Sequence, residues 1–174
     1  HAANALKFRR KGIQTALLDH RQPRDPPDAN LIELRVDLAT QRLTLLDGGR
    51  ERRVYLVSTS KHGAGERNGS FRTPRGRHIV RAKIGGGAPL GAVFRARRPT
   101  GEIYSPALAA EHPDRDWVLT RILWLSGTEI GRNRLGEVDT MRRYIYIHGA
   151  PDEAPMGVPG SIGCIRMRNA EIVE

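Results

Sequence analysis

A chain of 174 residues holds one domain with a substantial core and is too short for two comfortable ones. Hydrophobic residues make up 39% and charged residues 28%, an ordinary folded composition, and no apolar run approaches the roughly 18 residues that would suggest a membrane span. The net charge of +10, carried by 25 Arg against 4 Lys, favours acidic partners. With aromatics at 5% and the basic residues scattered, nucleic acid is not expected. The single cysteine excludes an intrachain disulfide, and the six histidines show no close metal-ligand spacing. Nothing in this spacing asks for a metal site. The chain begins at His1 and not at a methionine, which reads as a processed or cut chain and leaves the compartment undecided.

Residues 1–29 differ from the rest. Leu6, Ile13 and Leu17 can share a helical face amid basic residues, and Pro23, Pro26 and Pro27 end the pattern. The expectation is a basic tail or short amphipathic helix followed by a linker, open to peripheral contact with an anionic surface.

From Asn30 the period changes to two. Ile32, Leu34, Val36 and Leu38 alternate with Glu33, Arg35 and Asp37, as in a half-buried strand. A second strand follows over 42–46, the turn Asp47-Gly48-Gly49 reverses the chain, and it returns through Val54 to Val57. Further strands are predicted at 77–84, 117–125 and 144–148, with Gly- and Pro-rich loops at 63–76, 85–91 and 98–106. These segments make residues 30–174 a mostly β domain with long loops. Gly85-Gly86-Gly87 is no dinucleotide fingerprint, and no phosphate-binding loop motif is present.

The last thirty residues carry the chemistry. Tyr144-Ile-Tyr146-Ile-His148-Gly149 reads as a buried strand that ends at an imidazole. A connector rich in Pro and Gly then leads back to Ser161-Ile162-Gly163-Cys164-Ile165-Arg166-Met167. A free thiol with a pKa near 8.5 is only about 3% thiolate at pH 7. A neighbouring imidazole, or the charge of Arg166, would raise that fraction, and backbone N–H groups around Gly163 and Cys164 could hold an oxyanion. Taken singly, a Cys beside Ile and a lone His are more often inert; their combination with the return loop and Ser-x-Gly-Cys-x-Arg points to a nucleophile and its base.

At these residues the chain resembles the L,D-transpeptidase catalytic domain family (YkuD-like). That family's signature is a His-Gly pair followed, after a loop, by Ser-x-Gly-Cys-[Ile/Val]-Arg-[Met/Leu] and a helix with an acidic residue, here Glu171. Thr73-Pro74-Arg75-Gly76 matches the family's Thr-Pro-x-Gly, and Ser58-Thr59-Ser60 falls where a strand precedes it. The resemblance covers about Asn30 to Glu174 and implies a β-sandwich-like fold with a few short helices, and no metal or organic cofactor. It implies that Cys164 attacks the carbonyl of the third residue of a peptidoglycan stem tetrapeptide and releases the terminal D-alanine. His148 would serve as base and the Gly149 carbonyl would orient its ring. Ile162, Gly163 and Cys164 would offer oxyanion N–H groups. Arg166 would support the loop, bind a substrate carboxylate or form a structural ion pair, and Tyr146 and Ser161 would shape the site.

The same thioester serves transfer to an amine or hydrolysis, so transpeptidase and L,D-carboxypeptidase or amidase are both readings of these residues. A catalytically silent wall-binding domain is the third. Peptidoglycan as partner implies the periplasm or cell envelope, a role in wall biogenesis and cell shape, and acylation of the cysteine by carbapenems. Two stretches go beyond the motif. Residues 95–143 are expected to form a lid or an acceptor-side wall. Asn169 is expected to cap a helix carrying Ile172 and Val173, with the family pattern continuing past Glu174.

Overall fold

The computed structural model describes residues 3–9 and 31–174. Strand β1 (Ala3–Arg9) leads into β2 (Leu31–Asp37), β3 (Arg42–Asp47) and β4 (Arg50–Leu56), which pair in that order as an antiparallel meander. Where the sequence suggests a tail or short helix, residues 3–9 pair instead with β2, Leu6 opposite Leu34 and Phe8 opposite Ile32. Alternation of Leu6 and Phe8 with Lys7 and Arg9 fits that period-two pairing as well as it fits part of a helix. The rest of the expected helix and linker lies outside the described residues.

The second sheet comprises β5 (His78–Ile84), β6 (Ala92–Arg95), β7 (Arg98–Ile103), β8 (Val118–Gly127), β9 (Tyr146–Ala150) and β10 (Ile165–Arg168). Its order is β10-β9-β8-β6-β7, with β5 pairing β8 further along the same strand. Only β9 and β10 run parallel, and the long 151–164 connector makes that arrangement reachable. Two short helices complete the described fold, α1 (Pro106–Glu111), capped by the Ser105 hydroxyl, and α2 (Asn169–Val173).

The two sheets face each other across one core. Val36, Leu43, Tyr55 and Val57 of the first meet Val80, Leu125, Ile145, Ile147, Ile165 and Met167 of the second, with Ile172 of α2. Each such aliphatic side chain contributes on the order of 1.5–3 kcal/mol by leaving water. The mostly β, sandwich-like expectation holds. Strand alternation then decides where the chemistry sits. Ile145 and Ile147 point into this core, so Tyr146 and His148 point to the outer face of the second sheet. There a second cluster forms from Ala92, Phe94, Ile122 and Tyr146, with Trp124 and Cys164 against it.

Three expectations need correction. The loop expected at 98–106 contains β7, which carries Pro99 and Gly101; an outermost strand tolerates both because one edge has no ladder to keep. Residues 95–143 are not a single lid or wall, because 118–127 form the longest strand of the second sheet. Asn169 does not cap α2. The residue in the capping position is Arg168, and the Asn169 amide bonds Ala150 O (2.9 Å) and the Thr120 hydroxyl (2.5 Å).

Candidate active site

His148 lies inside β9, two residues before its end, and is fully buried. Its Nδ1 is 2.7 Å from the carbonyl oxygen of Gly149. A carbonyl only accepts, so Nδ1 carries the proton and Nε2 holds a lone pair. Nε2 is buried and has no hydrogen-bond partner among the described residues. Burial keeps the imidazole below its ordinary pKa, partly offset by the Gly149 carbonyl and the charge of Asp116. The ring is thus held neutral with a base directed outward from the sheet.

Gly149 makes that geometry. A side chain there would place Cβ 2.6 Å from Asn169 Oδ1 and 2.7 Å from the Leu119 carbonyl oxygen. Only glycine lets β9 lie this close to β8 and α2.

Cys164 is half-buried at the end of the return loop, immediately before β10. In the parallel register Arg166 stands opposite His148, and one step of two residues back sets Cys164 beside Tyr146. The thiol accepts a hydrogen bond from Tyr146 N (3.4 Å) and donates to Tyr144 O (3.5 Å), and it makes none to His148. Burial pushes the thiol up to about 12; the Tyr146 N–H and the charges of Arg166 and Arg143 act in the opposite sense. The charge of Arg166 favours thiolate, as the sequence suggests, but desolvation outweighs it and favours the neutral forms of both thiol and imidazole.

Arg166 donates to Asp116 Oδ1 (2.7 Å) and to Gly160 O (3.3 Å), so its guanidinium ties the return loop to the start of β8. Ser161 is buried; its hydroxyl donates to Cys164 O (2.5 Å) and accepts from Gly163 N (3.2 Å). Of the three backbone donors expected for an oxyanion, Gly163 N is thus occupied in this conformation. The N–H groups of Ile162 and Cys164 carry no hydrogen bond among the described residues. Gly163 sits at φ 133°, and its carbonyl accepts from the Thr73 hydroxyl (2.9 Å). Thr73, the first residue of Thr-Pro-x-Gly, also accepts from Ser60 N (3.0 Å), which joins the Ser58-Thr59-Ser60 segment to the loop that carries Cys164.

Several residues of this site carry no sequence signal by themselves. Arg143 donates to Gly65 O, Glu66 O, Ser70 Oγ and Arg72 O and so holds the 63–73 loop beside Gly163. Trp124 stacks on Tyr144 with centroids 6.2 Å apart and meets Tyr146 edge-on at the same separation. Tyr144, expected at the start of the strand, lies in the turn just before β9 at φ 56°; nothing in the sequence marks Arg97, Asp116 or Arg143. Among the described residues no group of His, Cys, Asp and Glu could hold a metal ion.

No curated protein matches the chain. The family model for the L,D-transpeptidase catalytic domain, YkuD, matches residues 32–174. That span includes both sheets from β2 onward, the Thr73 loop, His148 and Cys164, and the chain therefore belongs to the YkuD family of L,D-transpeptidase catalytic domains.

Proposed function

We propose that the protein is a cysteine acyltransferase that cross-links or trims peptidoglycan stem peptides through an acyl-enzyme on Cys164. The observation that carries this is the buried, unpartnered Nε2 of His148 on the same sheet face as the chain's single cysteine. An unsatisfied buried acceptor costs about 1–3 kcal/mol, and a neutral imidazole nitrogen left open near a thiol suits the taking of its proton.

In this reading the thiol swings from the Tyr144 carbonyl to Nε2. As Sγ attacks the carbonyl of the third stem residue, its proton passes to the imidazole, and the oxyanion is met by the N–H groups of Ile162 and Cys164. The C–N bond to the terminal D-alanine breaks, and the departing amine takes the proton from His148. An amine of a second stem then attacks the thioester. His148 accepts its proton and returns it to the leaving thiolate, so both half-reactions balance without a cofactor. Water in place of the amine would make the same site an L,D-carboxypeptidase or amidase. Family membership favours transfer, and the substrate favours a place in the periplasm or cell envelope. Among the described residues no helix is long and apolar enough to cross a membrane.

Intact mass after incubation with a carbapenem tests the nucleophile. The wild type should gain one adduct, and Cys164→Ala and His148→Ala should gain none while remaining folded. An adduct on Cys164→Ala, or none on folded wild type, would overturn the reading. Product analysis with a tetrapeptide donor, with and without an amine acceptor, separates transfer from hydrolysis.

A further inference from the structure

Arg97 lies at the tip of the β6–β7 hairpin, where Ala96 and Arg97 both take the left-handed conformation, at φ 45° and 66°. Tight hairpins of this kind ordinarily place Gly, Asn or Asp at those positions. Side chains held there are strained, and such strain persists only where surrounding contacts fix the backbone. The contacts here are specific. The Arg97 guanidinium carbon lies 4.7 Å from the Trp124 ring centroid and 4.8 Å from that of Tyr144, and Nη1 donates to Tyr146 Oη at 3.1 Å. Tyr146 N and Tyr144 O are the two groups that hold the Cys164 thiol. The turn therefore delivers a cation to the aromatic wall of the nucleophile's pocket.

The neighbouring guanidiniums are committed. Arg166 is paired with Asp116, Arg143 is bound to four acceptors of the 63–73 loop, and Arg115 is paired with Glu102. Arg97 differs. Of its five N–H donors one is used, on a neutral phenol, and it has no carboxylate partner among the described residues. Stacking on two rings fixes the guanidinium without consuming its donors, which leaves its edge for a planar, two-oxygen acceptor. A half-buried charge with spare donors on the aromatic residues that adjoin the Cys164 thiol fits a carboxylate on the substrate better than a structural role.

Building on the acyl-transfer reading of Cys164, we infer that Arg97 binds a carboxylate of the acyl-donor peptide and so selects charged over amidated stems. The test compares a stem tetrapeptide with analogues in which each carboxylate in turn is converted to an amide. Acyl-enzyme formation is followed by mass for the wild type, Arg97→Ala and Arg97→Lys, with thermal melting as a control on the fold. In the wild type one amidated donor should lose about 10- to 100-fold in kcat/KM, the loss associated with one charge-assisted hydrogen-bonded contact. In Arg97→Ala the charged donor should fall to the level of that amidated donor, which itself barely changes. Arg97→Lys should recover part of the preference, since it keeps charge but not the planar fork. Equal losses on all donors in Arg97→Ala, or no preference in the wild type, would overturn the Arg97 assignment alone. A folded wild type that forms no acyl-enzyme from any donor would overturn the transferase reading and this inference with it.

Discussion

Cys164 and His148 illustrate how burial, more than residue identity, decides the charge state of a neighbouring thiol and imidazole. A thiol beside a histidine is often pictured as a thiolate–imidazolium pair, yet here both groups are pushed toward neutrality by desolvation. Alkylation by iodoacetamide should consequently rise steadily with pH between 6 and 9 without levelling off. A plateau with a midpoint below pH 8 would show a preformed thiolate and contradict this. Gly149 holds the imidazole in place, since its carbonyl fixes the tautomer and its missing side chain admits the Leu119 carbonyl. Gly149→Ala forces Cβ against backbone as well as the Asn169 amide, so a stability loss of about 1–3 kcal/mol is expected. Carbapenem acylation should fall further than the loss of folded protein explains, because the carbonyl that orients His148 must move. Unchanged acylation per folded molecule would show that the Gly149 carbonyl does not set the ring.

At the scale of elements, the site depends on loops bound to one another by hydrogen bonds, with little apolar packing of their own. The Thr73 hydroxyl joins Ser60 N to Gly163 O, and Arg143 gathers four acceptors from the 63–73 loop. Thr73→Val keeps the shape but orphans the buried Ser60 N–H, a cost of about 1–3 kcal/mol. Arg143→Ala should release the loop selectively: amide exchange over 63–73 should quicken by an order of magnitude or more while exchange in β8 and β9 stays slow. Uniform acceleration across β8 and β9 would mean that Arg143 instead supports the whole sheet. Strand β9 was legible because Tyr146-Ile147-His148 alternates, and period two sends Ile to the core and the polar partners outward; β10, only four residues long, is too short for its alternation to mark it as a strand. The hairpin bearing Arg97 was not legible. Pro99 and Gly101 argue against a strand unless its edge position is known, and that position is tertiary information. Arg143 was equally invisible, because what marks it is three backbone carbonyls and a serine hydroxyl brought together from 71 to 78 residues away along the chain.

For the whole molecule, the inter-sheet core sets the global stability, while a second buried histidine sets its response to acid. His78, at the start of β5, has Nδ1 2.9 Å from Gly76 O and Nε2 2.9 Å from the Thr140 hydroxyl. The carbonyl requires Nδ1–H, so Nε2 accepts from Thr140, and a protonated ring would have no acceptor left for that hydroxyl's hydrogen bond. Burial lowers His78 to about 4, against the favourable Gly76 carbonyl and the charges of Glu129 and Glu66. The neutral form is favoured in the fold, while the unfolded chain takes up a proton below about pH 6.5. The stability this holds is therefore present above pH 6.5 and is lost as pH falls through 4, about 3 kcal/mol in all. Glu66 and Asp139, held below the ordinary carboxylate range by their net hydrogen bonding, add acid sensitivity of their own at lower pH. A variant isolates the histidine. His78→Gln should be less stable than the wild type at pH 7 by urea unfolding, and the gap between the two should shrink by about 3 kcal/mol on going to pH 4. Curves that stay parallel across that interval would mean that the imidazole is protonated within the fold and that the Thr140 hydroxyl has found another acceptor.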